Sequence, residues 1–125
     1  MQHTIIVDSH NHQLTVTTSG DGDVVGVVSF LKEIIVHPHW KTGNNILLDH
    51  RNLRFDKVKM DGVHRIARFF KSIGPQLGNG KIAFVMNRDF EFGIARAWEI
   101  LTADEVDIQI EVFRSIEKAR AWLDT

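Results

Sequence analysis

Apolar residues recur along this chain in two alternating periods. Between Thr4 and Asp8, and again between Leu14 and Thr18, β-branched residues form short runs joined by Ser9-His10-Asn11-His12-Gln13. This predicts an antiparallel hairpin with Asn11 in the turn. Val24, Val27, Val28, Leu31, Ile34 and Ile35 then recur at helical spacing as far as His37-Pro38, with Asp21 and Asp23 as capping candidates. Intrinsic propensity opposes that helix, because Val24 to Val28 is β-branched and contains Gly26. If Val24, Val27, Val28 and Leu31 face a sheet, Val25, Phe30 and Ile34 spill round the side as an apolar stripe wide enough for a partner. Past Pro38 and Gly43, Asn45 to Asp49 reads as a central strand.

In the second half, Val63, Ile66, Ala67, Phe70 and Ile73 mark an amphipathic helix from Val63 to Leu77, bent or ended at Gly74-Pro75. Its outer face carries His64, Arg65, Arg68 and Lys71. The chain is organised around Gly80 to Leu101: a buried strand from Ile82 to Met86, a polar turn, then a helix capped by Asp89. Glu91 adds charge at the positive end of that helix, and Ile94, Ala95, Trp98 and Leu101 share one face. Ile108, Ile110 and Val112 alternate as an edge strand, and Ser115 caps a last helix with Ile116, Ala119, Trp122 and Leu123 inward. A strand feeding a helix is half of a parallel β-α-β unit. The fold class is therefore α/β: one domain over 1–125, with an N-terminal hairpin, alternating helices and strands around one mixed, mostly parallel sheet, and a C-terminal helix.

Composition narrows the function classes. Lys+Arg 15 against Asp+Glu 16 gives a net charge of -1, which excludes a whole-domain electrostatic footprint for nucleic acid. The chain has no cysteine, so disulfides, thiolate metal sites and a cysteine nucleophile are excluded, in keeping with a cytoplasmic protein. No leader pattern or membrane-spanning run is expected from the pattern at Met1 or elsewhere.

Several stretches together resemble a known family. Pro38 to Arg51 with its Leu-Leu-Asp-His-Arg ending, Lys81 to Val85, Phe92-Gly93-Ile94-Ala95-Arg96 and Val112 to Leu123 are similar to the bacterial SpoIIAA-like proteins. These are small domains related in fold to the STAS domains of anti-sigma-factor antagonists and likened to lipid-binding SEC14-type domains. In a phosphorylated antagonist, the helix after the central strand begins with a serine that accepts phosphate and switches partner binding. The resemblance places Asp61 at that position, and no serine or threonine occurs between Ile46 and Lys71. A carboxylate carries one fixed charge where phosphate would add about -1.5 to -2 reversibly. Asp61 also fits an ordinary helix start.

Ligands of parallel sheets sit at carboxyl ends of strands, beside helix amino termini. Two such ends are expected to share a rim: Asp49, His50 and Arg51 with Asn87, Arg88 and Asp89. Together with Asp61, Phe90, Phe92, Gly93 and Arg96 they form the candidate binding set. Arg51, Arg54, Lys57, Lys59, Arg65, Arg68 and Lys71 concentrate seven of the 15 basic residues in one loop and helix, with Arg65, Arg68 and Lys71 as a docking face. His10-Asn11-His12 and His37-Pro38-His39 lack the further ligands of a metal site. Gly78-Asn79-Gly80-Lys81 precedes a strand instead of opening a helix, so it is a turn and not a phosphate loop.

The expected function is a non-enzymatic STAS-like protein-interaction or regulatory module without the usual phosphorylatable serine. Its expected partners are a protein and a second copy of the chain, as a homodimer. The alternative is a binder or carrier of a small amphipathic anion, a lipid or acyl metabolite, at the strand-end rim. Neither reading needs a cofactor or metal, and an enzyme has no motif behind it.

Overall fold

The structure is a computed structural model that describes residues 1–8 and 10–125; Ser9, in the expected hairpin turn, lies outside the described residues. Its elements are β1 (Gln2–Val7), β2 (Leu14–Asp21), α1 (Val24–Val36), β3 (Ile46–Arg54), α2 (Met60–Ser72), α3 (Gly74–Leu77), β4 (Lys81–Val85), α4 (Asp89–Thr102), β5 (Gln109–Phe113) and α5 (Ile116–Leu123).

The strands lie side by side in chain order, β1 antiparallel to β2 and the rest parallel. A sheet that grows in one direction through right-handed crossovers puts every crossover helix on the same face. The core divides accordingly. Leu14, Val16, Ile46, Leu48, Ile82, Phe84 and Met86 pack under α1, α2 and α4, while Leu47, Ala83 and Val85 meet Ile116, Ala119 and Leu123 of α5 on the other face. The period-2 alternation of β3 and β4 feeds both layers at once, which is why their sequences read as unbroken apolar runs.

Tertiary packing overrides the weak propensity of α1. Asp23 caps it by accepting from the Gly26 amide at 2.6 Å. Phe30 and Ile34 do not spill round its side: both are core, 1% and 0% exposed, and each such burial is worth about 1.5–3 kcal/mol. The helix packs on α2 as well as on the sheet, so a wide stripe is needed. Val25 is the member of the expected patch left in solvent.

Several boundaries differ from the sequence reading, among them that β1 begins at Gln2 and β2 runs on to Asp21. α2 begins at Met60, ahead of Val63, and gives way to the short α3 where Gly74-Pro75 interrupts it. β3 continues past Asp49 to Arg54, because β2 runs alongside it after a register shift between Thr17 and Ser19. α4 has Arg88 at its cap position, with no side-chain cap, and Asp89 is its first residue. The turn into β4 depends on Gly78, which has φ +82 and would bring a Cβ within 2.6 Å of the Gly43 amide nitrogen. Among the described residues, no helix is long and apolar enough to cross a membrane.

Candidate functional site

The corner after β3 and the corner before α4 do meet, through different residues from those expected. Arg88 Nη2 donates to Asp56 Oδ1 at 2.6 Å, and Glu91 Oε2 accepts the Phe55 backbone N–H at 2.8 Å. Glu91 is fully buried. Its Oε1 lies 2.9 Å from Arg88 Nε as an ion pair without hydrogen-bond alignment; among the described residues, Oε1 and Arg88 Nη1 are buried without a hydrogen-bond partner. Glu91 stands in the first turn of α4, where its charge was expected, and because it is buried it also brackets two loops.

The expected rim is dispersed. Asp49 lies within β3, opposite Val85 and Thr17, because the strand outruns the corner by several residues. Arg51 clasps it at 2.8 and 2.9 Å, and that pairing holds the Asp49 carboxyl below its ordinary value of 3.8 against a partial desolvation. Asp89 pairs with Arg114 at 2.7 Å, and Arg114 stacks over Phe92 at 4.5 Å. Arg96 pairs with Glu99 at 3.1 Å, while Asn87 and Gly93 are exposed. Arg51 and Arg96 are thus engaged by carboxylates and Phe92 is covered by Arg114, while Phe90 stays exposed.

Asp61 belongs to a different feature, an open groove of about 400 Å³ between the starts of α1 and α2, which it lines with Asp21, Asp23, Lys57, Lys59 and Arg65. The basic run is partly neutralised: Lys57 pairs with Asp21, Arg54 with Asp56 and Lys71 with Glu105. Among the described residues, Lys59, Arg65 and Arg68 are the members of that run with no carboxylate partner. The docking face expected from Arg65, Arg68 and Lys71 therefore keeps two unpaired cations.

A second feature lies among the core side chains and is half-open to solvent. Between the sheet and α1, α2 and α4 lies a cavity of about 50 Å³, lined by Phe30, Phe70, Phe84, Met86 and other apolar side chains together with His50 and Trp98. Neither Asp49 nor Phe92 lines it or the groove. His50 is buried beside Phe30 and Phe84, with ring centroids at 5.7 and 6.1 Å. Thr18 Oγ1 lies 2.6 Å from its Nδ1 and 3.4 Å from the Asp49 carbonyl oxygen. Burial pushes the His50 pKa down to about 4, opposed by the neighbouring Asp49 charge, so the ring is neutral near pH 7. Trp98 packs edge-on against Phe70 at 4.4 Å, and its buried indole N–H has no hydrogen-bond partner among the described residues.

Both inward residues carry a sequence signal. His50 follows Ile46 and Leu48 at strand period, and Glu91 precedes Ala95 and Trp98 at helical period. His10 and His12 stay exposed in the hairpin loop, and His39 N–H donates to His37 Nδ1 at 3.1 Å. Among the described residues no three His, Asp or Glu side chains gather as a metal-binding group.

No protein-family model matches the chain, and no curated protein matches it. In three dimensions it is similar to the crystal structure of an uncharacterised protein of the DUF3478 family from Shewanella loihica PV-4, described as having a SpoIIAA-like fold. The TM-score is 0.63 over 98% of this chain and 92% of that one, at 13% sequence identity. Such a likeness concerns architecture alone, and it is the architecture that the resemblance of the residues implied: the chain has a SpoIIAA-like fold.

Proposed function

We propose that this chain is a non-enzymatic regulatory module, in which a short, mainly apolar molecule bound inside the fold sets the state of a surface read by a protein partner. The observation that carries this is that α2 serves both features. Val63, Ile66 and Phe70 line the internal cavity, while Asp61, Gly62 and Arg65 line the groove. A ligand that moves one face of a rigid helix moves the other.

The cavity limits the ligand. At about 50 Å³ it holds about three to four water-sized spheres, so the molecule has few non-hydrogen atoms. The walls are apolar apart from an unpartnered indole N–H and a neutral imidazole, and no side chain carrying a charge at neutral pH lines them. An anion there would be uncompensated, which argues for a neutral molecule with a hydrogen-bond acceptor, such as a short ketone or alcohol. The groove, with Lys59 and Arg65 unpaired beside Asp61, suits a partner surface of mixed charge.

Two measurements test this reading. Native mass spectrometry of protein purified from its own host is expected to reveal a small neutral adduct, and short ketones to raise the melting temperature. Arg65→Glu is expected to weaken capture of the partner without changing the melt. Protein that is always empty, with no ligand-dependent melt, would contradict the cavity reading.

A further inference from the structure

We infer that β1 is a self-association edge, paired in the assembled protein with β1 of a second copy in antiparallel register centred on Ile5. Among the described residues β1 ends the sheet, with β2 on one side and no strand on the other. The parity of its backbone follows from two bonds. Asp8 donates its N–H to Gln13 across the hairpin, whereas Leu14, opposite Val7, gives its N–H to Asn45 on the side of β3. In an antiparallel pair, residues alternate between facing the partner strand and facing away. The even-numbered residues of β1 therefore bond to β2, and His3, Ile5 and Val7 turn their N–H and C=O groups outward.

A second β1 meets all of those groups when Ile5 stands opposite its own copy. His3 then faces Val7 of the second copy, and each exchanges both backbone bonds with the other. On the sheet face that α5 leaves uncovered, Thr4 stands opposite Ile6, a pair of β-branched side chains. Ile6 is 63% exposed in the single chain and Thr4 is exposed too, so both are available to it. The contact is isologous, and no like charges oppose each other within β1.

The two edges of this sheet differ in how they are guarded. Edge strands that remain single usually carry a lysine, a proline, a bulge or an inward charge. β1, Gln-His-Thr-Ile-Ile-Val, has none of these; its one ionisable side chain, His3, is engaged with Glu33 at 2.9 Å. β5, Gln-Ile-Glu-Val-Phe, has Glu111 at its centre, so the same self-pairing there would set Glu111 against Glu111.

Sedimentation equilibrium of the full chain tests this, with an expected mass twice 14.3 kDa. The double variant Thr4→Lys with Ile6→Lys places two lysine pairs face to face in the proposed register, and is expected to give monomer with an unchanged circular dichroism spectrum. Thr4→Lys with Ile6→Glu places opposite charges at the same positions and is expected to restore the dimer. In hydrogen exchange, the amides of Ile5 and Val7 are expected to be protected in the dimer and open in the double-lysine variant. A wild-type chain that stays monomeric overturns the inference, and so does a dimer that the double-lysine variant leaves intact.

Discussion

Thr18 Oγ1 and His50 Nδ1 lie 2.6 Å apart in a part of the fold otherwise built from aromatic and aliphatic side chains, and this contact fixes the imidazole that faces the cavity. Because the folded chain holds His50 near pKa 4 while an unfolded chain holds it near 6.5, the unfolded state binds more protons between those values. Stability contributed by the neutral ring is complete above about pH 6.5 and is lost as pH falls to about 4, a change of about 3 kcal/mol. Urea unfolding across this window is expected to show that slope in the wild type and a flatter one in His50→Phe. The Asp49–Arg51 pair acts in a separate, more acid window: its contribution is present above pH 3.8 and lost as pH falls through the lowered Asp49 value. An unaltered slope in His50→Phe would remove His50 as its source.

Glu91 brackets the two loops at the carboxyl end of the sheet. Glu91→Ala leaves the Phe55 N–H and the Arg88 guanidinium without it, and is expected to cost about 3 kcal/mol in chemical unfolding. Glu91→Gln keeps an acceptor for Phe55 and is expected to cost about half as much. Equal losses in the two variants would mean that the charge contributes and the backbone bond does not.

The layered architecture was legible because β3 and β4 carry short unbroken apolar runs and the helices repeat at their own period. The candidate rim was not. Asp49 looked like a strand end because polar residues follow it, yet β3 runs on through His50 and Leu53, whose side chains are buried, while Arg51 and Asn52 are exposed. Asp89 looked like a cap, but its carboxylate is taken by Arg114, a residue just past the end of β5 that no local pattern brings near. Local periodicity reports which face a residue occupies; the partner of an exposed charge depends on strand length and crossover geometry, which periodicity does not encode. The cavity is a remainder of packing between three helices, and composition carries no trace of it.

Gly78 tests the turn that delivers β4 under the cavity. With φ +82 and a Cβ position 2.6 Å from the Gly43 amide nitrogen, Gly78→Ala is expected to cost about 2–3 kcal/mol in thermal or urea unfolding. Gly93→Ala is expected to be neutral or mildly stabilising, since nothing lies near the added methyl and the residue is helical. Similar losses in both would show that backbone conformation at Gly78 is not the cause.

The proposed internal binding site is tested most directly at the indole N–H of Trp98. The three tryptophan indoles are distinguishable by nuclear magnetic resonance, and that of Trp40 already donates to the Gln76 carbonyl at 3.0 Å. Titration with a short neutral ketone is expected to shift the Trp98 indole resonance saturably and to leave those of Trp40 and Trp122 in place, with the response lost in Trp98→Phe. A Trp98 resonance that stays fixed across a graded series of short ketones and alcohols would contradict the proposal that the cavity is where this protein binds its ligand.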